Sequence, residues 1–307
     1  MCRLFWCSLI LSFGPTLSRC PGQDLAPRAY LITPVHSNAV TLVYSLFDGN
    51  ILLDGAVPIT DSRARVNVAV FSYTHSLKFL GRSANVSASV PYGIGYFRGD
   101  VLGAKKVAYR SGLLDSTLRV SVNIKGGPAM SEPEFARWRQ TTIIGASLRL
   151  FIPNGQYDPT TIINYGTNRW ALKPEVGYSR RLYNWILDAY GGVWFYTVNH
   201  SFFPGASIQS QNPVGALEGH VSYDFRPRLW VSLDGNFWFG GSTSLNGVQN
   251  PVTRQSNSRV GFTLSIPFRT HQSIKISYSD GTYVRYGGNF ANVSVGWQYS
   301  WLGYPAL

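Results

Sequence analysis

The sequence predicts an all-β fold: a transmembrane antiparallel β-barrel of about 12 strands, with long external loops and short periplasmic turns. Three observations predict it. Segments of about ten residues alternate apolar with polar side chains, and aromatics crowd the apolar face. The connections between these segments alternate between long and tight. The chain also opens on a short apolar run, and no later stretch reaches the roughly 18 consecutive apolar residues of a membrane helix.

Taken in order, residues 1–22 read as a signal peptide. Arg3 precedes an apolar run from Leu4 to Phe13, which Gly14 and Pro15 end. All three cysteines, Cys2, Cys7 and Cys20, lie in this stretch, so the processed chain has no disulfide framework to decode. Arg19 stands where a lipoprotein signal wants a small residue before Cys20. Residues 23–307 then form the barrel, with 23–37 a short leading segment for which the lumen is one place to lie.

Period-two segments follow at 38–47, 64–74, 82–97, 113–126, 141–152, 169–180, 185–199, 214–225, 229–240, 257–268, 272–279 and 289–301. In "LRVSVNI", Leu118, Val120, Val122 and Ile124 oppose Arg119, Ser121 and Asn123. In "RVGFTLSIPF", Val260, Phe262, Leu264, Ile266 and Phe268 oppose Arg259, Gly261, Thr263 and Ser265. Long connections such as "DGNILLDGAVPITDS", "RGDVLGAKKVAYRSG" and "PNGQYDPTTIINYGTN" alternate with tight ones such as "RPR" at 226–228. One connection breaks the rule: "GPAMSEPEFARWRQ" is long, and its 133–138 stretch predicts a helical turn on the periplasmic side.

A bilayer supplies no hydrogen bonds, so a sheet within it must close on itself and turn its apolar face outward. The final segment meets this demand with Val293, Val295, Trp297, Tyr299 and Trp301 on one face. Ser294, Gly296, Tyr299 and Trp301 also fill the pattern of polar, glycine and two aromatic positions expected of a terminal strand read by outer-membrane assembly machinery. A secreted β-sandwich alternates too. It accounts for neither the aromatic apolar face nor the alternation of loop lengths.

The formal net charge is +12, but basic residues are scattered singly and the chain carries an export signal, which argues against nucleic acid as a partner. GxSxG, HExxH and CxxC do not occur, and the sequence points to no enzyme, no metal and no cofactor. "NGQYDP" and "NRW", around one long loop, read as turn chemistry and an interfacial tryptophan more readily than as a ligand gate.

A set of motifs spans nearly the whole processed chain: "DLAPRAY" (24–30), "VPYGIG" (90–95), "PNGQYDP" (153–159), "NRWALKPEVGYS" (168–179), "GGVWFYTVN" (191–199), "EGHVSYDFRPRLWVSLDG" (218–235), "NSRVGFTLSIPF" (257–268) and "VGWQYSW" (295–301). Through them the chain resembles the MetA-pathway of phenol degradation family of outer-membrane transporters, which are distantly similar to FadL-type hydrocarbon channels. The resemblance implies passive uptake of small hydrophobic or aromatic compounds across the bacterial outer membrane, with outer-membrane lipids, the assembly machinery and the solute as partners. It carries over no catalytic residues. FadL-type barrels have fourteen strands and an N-terminal plug, whereas the alternation here predicts twelve.

Parity along the strands nominates pore-lining residues: Arg65, Arg119, Lys125, Arg149, Lys173, Glu175, Asp188, Glu218, His220, Asp234, Arg259 and Lys275, with Trp194, Trp238 and Tyr190 on the same inward face. The basic excess among them predicts a preference for small anions if the lumen is open. His220, Ser222 and Asp234 contain the elements of a lipid hydrolase relay, but the same parity turns them into the lumen, away from bilayer lipid. A hydrogen-bonded lumen network is the plainer expectation.

Overall fold

The computed structural model describes residues 25–52, 59–101 and 103–303; the expected signal peptide lies outside the described residues. Seventeen strands occur among them. Those of the barrel are β1 (Ser37–Leu52), β2 (Ile59–Phe79), β3 (Arg82–Val101), β4 (Ala104–Leu113), β5 (Ser116–Lys125), β6 (Thr142–Ile152), β7 (Ala171–Leu182), β8 (Trp185–Tyr196), β11 (Val214–Arg226), β12 (Leu229–Gly240), β15 (Gln255–Arg269), β16 (Gln272–Val284) and β17 (Gly287–Leu302). Both β4 and β5 pair with β3, β4 at Tyr92–Val101 and β5 at Ala84–Ser89, so the two make one staff broken at Leu114–Asp115. The ring therefore has 12 staves and closes where β1 pairs with β17, from Ser37↔Leu302 to Leu52↔Gly287. Closure leaves no sheet edge, the condition a membrane imposes.

The twelve segments predicted from alternation are the twelve staves. The difference lies at the external ends. "DGNILLDGAVPITDS" and "RGDVLGAKKVAYRSG" read as loops, yet β1, β2, β3 and β4 run on through most of their described residues as ladders. Polar residues mark loops only while one face is greasy; beyond the bilayer both faces of a strand are wet. A second sheet caps the external side in the order β14–β13–β10–β9, from β9 (Asn199–Phe202), β10 (Ser207–Gln211), β13 (Thr243–Leu245) and β14 (Val248–Asn250). The predicted periplasmic turn is helix α1 (Glu132–Arg137). Ser131 and Glu134 form its capping box, and Pro133 lies in its first turn, where no intrahelical donor is lost.

Alternation in exposure follows the expected parity through most of the wall. On β17, Val293 and Val295 face out and Ser294 is buried against Ser45 of β1, their hydroxyls 2.9 Å apart. Trp297, Tyr299 and Trp301 stack in series on the outer surface, with centroids 6.4 and 5.6 Å apart. They form an interfacial aromatic band of the kind that membrane barrels carry.

Candidate functional site: the lumen

The polarity of the two faces inverts on the external half of β2. Ala64, Val66 and Val68 are buried inside the ring, while Arg65 faces outward with a side chain 64% exposed, paired with Asp48 of β1. The expectation that Arg65 lines the lumen is therefore corrected: here the inner face is the apolar one, and reading apolar as lipid-facing reverses inside and outside. Lys125 is also exposed, at the periplasmic end of β5, where a bulge between Asn123 and Lys125 shifts the register.

The remaining nominated residues face inward, and most belong to one polar network. Lys173 Nζ lies 2.5 Å from Glu175 and 3.0 Å from Glu218. Arg119 approaches Glu175 at 3.8 Å. Asp234 Oδ1 sits 2.8 Å from His220 Nδ1 and also accepts from Ser232 Oγ, while its Oδ2 accepts from Thr263 Oγ1 at 2.7 Å. Arg259 Nη1 donates to Ser279. Lys275 extends over the Trp230 ring, 5.5 Å from its centroid. Arg149 occupies the inward side of β6, opposite both Arg119 and Lys173 in the ladders. This pairing accords with the high cost of a buried charge left alone, and it weakens the expected field for anions.

The leading segment threads the network. The backbone N–H of Arg28 donates to Asp188 (3.2 Å) and that of Ala29 to the Tyr190 hydroxyl (3.1 Å). The Arg28 guanidinium pairs with Asp224 at 2.7 Å and stacks over Trp230. Tyr30, 2% exposed, donates its hydroxyl proton to Glu175 at 3.0 Å. Two glycines make room for its ring: a Cβ on Gly145 or Gly177 would lie 2.2 or 2.1 Å from it. Sequence reasoning missed Arg28, Tyr30 and Asp224 as lumen residues. The available signal was a glycine in the middle of each facing strand, a mark of close backbone approach.

Above this network the inner face turns apolar. Ala64, Val66, Val68, Phe97, Leu114, Tyr165 and Phe290 form one buried cluster, with Tyr165 supplied by the long loop between β6 and β7. Ala171, Trp194, Val214, Ala216 and Trp238 form another across the ring, flanked by Phe151 and Tyr196. The external loops close over both. Asp115 accepts from the N–H groups of Gly155 and Thr167, Asn199 donates to Tyr157, and Arg169 reaches Gln211 while lying over Tyr196. Asp158, on the same loop, is held below the usual carboxylate range by donation from the Thr160 hydroxyl and N–H. "NGQYDP" and "NRW" thus order a loop, as their turn chemistry predicts.

The relay is incomplete. His220 and Asp234 are joined, but His220 Nε2 lies toward Glu218 at 3.7 Å and the buried Ser222 hydroxyl makes no hydrogen bond. Among the described residues no group of His, Cys, Asp and Glu could hold a metal ion.

The profile of the family described as "Putative MetA-pathway of phenol degradation" matches residues 50–295. No curated protein matches in sequence. Among solved structures, an outer membrane channel from Pseudomonas putida F1 superposes with a TM-score of 0.77 at 18% identity, covering 91% of this chain and 100% of that one. The translocator domain of the autotransporter NalP from Neisseria meningitidis gives 0.53 at 9% identity, covering 87% and 89%. The β domain of the Bordetella autotransporter BrkA gives 0.50 at 11%, covering 87% and 100%. At these identities the likeness is one of fold.

Proposed function

We infer that this chain, which belongs to the MetA-pathway of phenol degradation family, is an outer-membrane channel for passive uptake of small hydrophobic or aromatic compounds. The observation that carries the reading is the apolar lining of the external part of the lumen. A water-filled porin keeps its interior polar. Inward aromatics and valines in a closed ring instead offer a hydrophobic solute a surface it prefers to water. The solved channel from Pseudomonas putida F1 supports the same reading by its fold.

In this reading the chain is exported, its signal is removed, and it resides in the outer membrane in contact with lipid. Ser294, Gly296, Tyr299 and Trp301 serve as the assembly signal. Replacing Tyr299 and Trp301 together with Asp places charge on the lipid face, which costs less than the ~2–4 kcal/mol of a cationic side chain at the midplane but also removes the aromatic pattern. Immunoblots of outer-membrane fractions should then show the barrel lost; normal levels would remove the signal role from this strand. This account gives Ser222 no catalytic role, since its buried hydroxyl has no hydrogen-bond partner. A closed structural barrel is the competing reading, favoured by the seating of Arg28, Ala29 and Tyr30 within the lumen. Uptake of a panel of aromatic and aliphatic solutes into proteoliposomes separates the two. Protein-dependent entry of the apolar members supports the channel; rates equal to those of empty liposomes for every solute support the closed barrel.

A further inference from the structure

Trp194 and Trp238 are both fully buried, at 0% exposure, and each indole Nε1–H lacks an acceptor. They belong to a single apolar cluster with Ala171, Val214 and Ala216. A buried donor without a partner forfeits the hydrogen bond it made in water, and buried tryptophan N–H groups ordinarily find one. Two such donors in one cluster are unusual for a side chain that phenylalanine could replace wherever only bulk is needed.

The neighbourhood is built from small or flexible parts. Ala216 is the ladder partner of Trp238 on one side and of Gly192 on the other. The space beside Gly192 is shared by the far end of the Lys173 stem, whose Cε lies 2.8 Å from where a Cβ would stand, and the Pro174 carbonyl oxygen at the same distance; of the two, only the stem is free to move. A flexible methylene chain can shift aside where a packed ring could not. The charge nearby also selects. The Lys173 ammonium lies 5.8 Å from the Trp194 ring centroid, but it is already bound to two carboxylates, those of Glu175 and Glu218. With its charge taken up by Glu175 and Glu218, the ammonium has none to spare for an incoming carboxylate, which would enter the apolar cluster unpaired.

We propose that the Trp194–Trp238 cluster is a binding station for a small, uncharged hydrophobic compound bearing an acceptor oxygen, which takes hydrogen bonds from the indole N–H groups. The proposal deepens the channel reading and rests on it, and it replaces anions with neutral ketones, esters or ethers as the favoured solutes. The donors contribute orientation and discrimination. The surrounding apolar side chains contribute the affinity that any hydrocarbon of the same size would share.

Acetophenone and ethylbenzene are matched probes, alike in size and differing in one carbonyl oxygen. Binding to the purified barrel in detergent should favour acetophenone over ethylbenzene by about tenfold, equivalent to about 1.4 kcal/mol, with benzoate weakest. In the W194F/W238F variant the ratio should fall to near one. An unchanged ratio in that variant, or equal binding of the two probes to the native barrel, overturns the station. Should the double variant fail to assemble, nitrogen-15 labelling of the native barrel decides. Acetophenone should shift two indole N–H resonances and ethylbenzene neither; indole resonances insensitive to acetophenone refute the proposal. Proteoliposome flux of ethylbenzene keeps the two readings apart. Flux with equal probe binding leaves the channel standing without the station, and selective acetophenone binding without flux of either probe sustains the station while refuting the channel.

Discussion

The two ends of the lumen are built from opposite materials. From the level of Lys173 down to the periplasmic end the lumen is a polar lattice, in which Lys173 pairs with Glu175 and Glu218, Arg28 pairs with Asp224, and the leading segment is bound through Tyr30. The external part is lined by Val66, Val68, Phe97, Leu114 and Tyr165 on one side and by Trp194, Val214 and Trp238 on the other. The polar part holds its shape through directed contacts, each of which depends on a partner. The apolar part is held mainly by shape and accommodates hydrophobic molecules of suitable size, with the Trp194 and Trp238 donors as its means of discrimination. The first therefore fits a closure and the second an antechamber.

Breaking the polar lattice at its centre should have the largest effect. Lys173→Met leaves Glu175 and Glu218 facing each other without the ammonium between them. Removal of one partner from a buried charge cluster costs about 3–5 kcal/mol. The unboiled, faster-migrating species should disappear from gels at lower temperature. Adding Glu218→Gln to the same chain should restore part of the loss, because the remaining carboxylate, Glu175, still has Arg119 as its partner. No recovery would mean that the lysine stem, and not its charge, matters.

Gly177→Val separates closure from stability. Its Cβ would stand 2.1 Å from the Tyr30 ring, so that ring must leave its seat between β6 and β7. Ion conductance in planar bilayers should rise several-fold while the barrel still shows its heat-dependent gel shift. Unaltered conductance would show that Tyr30 does not obstruct the path.

Most of this architecture was legible from residues, and its failures have separate physical causes. The alternation of Val293, Val295, Trp297 and Tyr299 with Ser294 and Gly296 reports a strand with lipid on one side and a polar interior on the other, and that holds wherever the interior is polar. Along β2 the interior is itself apolar, so the same rule turned Arg65 inward and hid Val66 and Val68 among lipid-facing residues. The bulge at the end of β5 displaced Lys125 for a second reason, since an extra residue resets parity without leaving a mark in composition. The pairing of Lys173 with Glu218 spans from β7 to β11 across β8, a distance over which sequence alone carries no register.

The most local expected effect is at the antechamber. Phe97→Asn puts an amide into the apolar cluster beneath Tyr165. It should reduce apolar solute uptake about tenfold, the scale at which one altered hydrophobic contact discriminates, and leave ion conductance and the gel shift as they were. A loss of ion conductance in step with uptake would show that one undivided path serves both and that the two ends of the lumen do not differ in function.

The most direct measurement is where an apolar molecule comes to rest. A small photoreactive aromatic hydrocarbon, activated in outer-membrane vesicles and mapped by peptide mass spectrometry, should label Phe97, Leu114, Tyr165 and the Trp194–Trp238 cluster, all on the inner face of the external end. It should leave Tyr30 and His220 unlabelled. Labels confined to lipid-facing residues such as Val293, Val295 and Phe262 would contradict the account, because they would show a barrel that dissolves in a hydrophobic environment without admitting hydrophobic solutes to its interior.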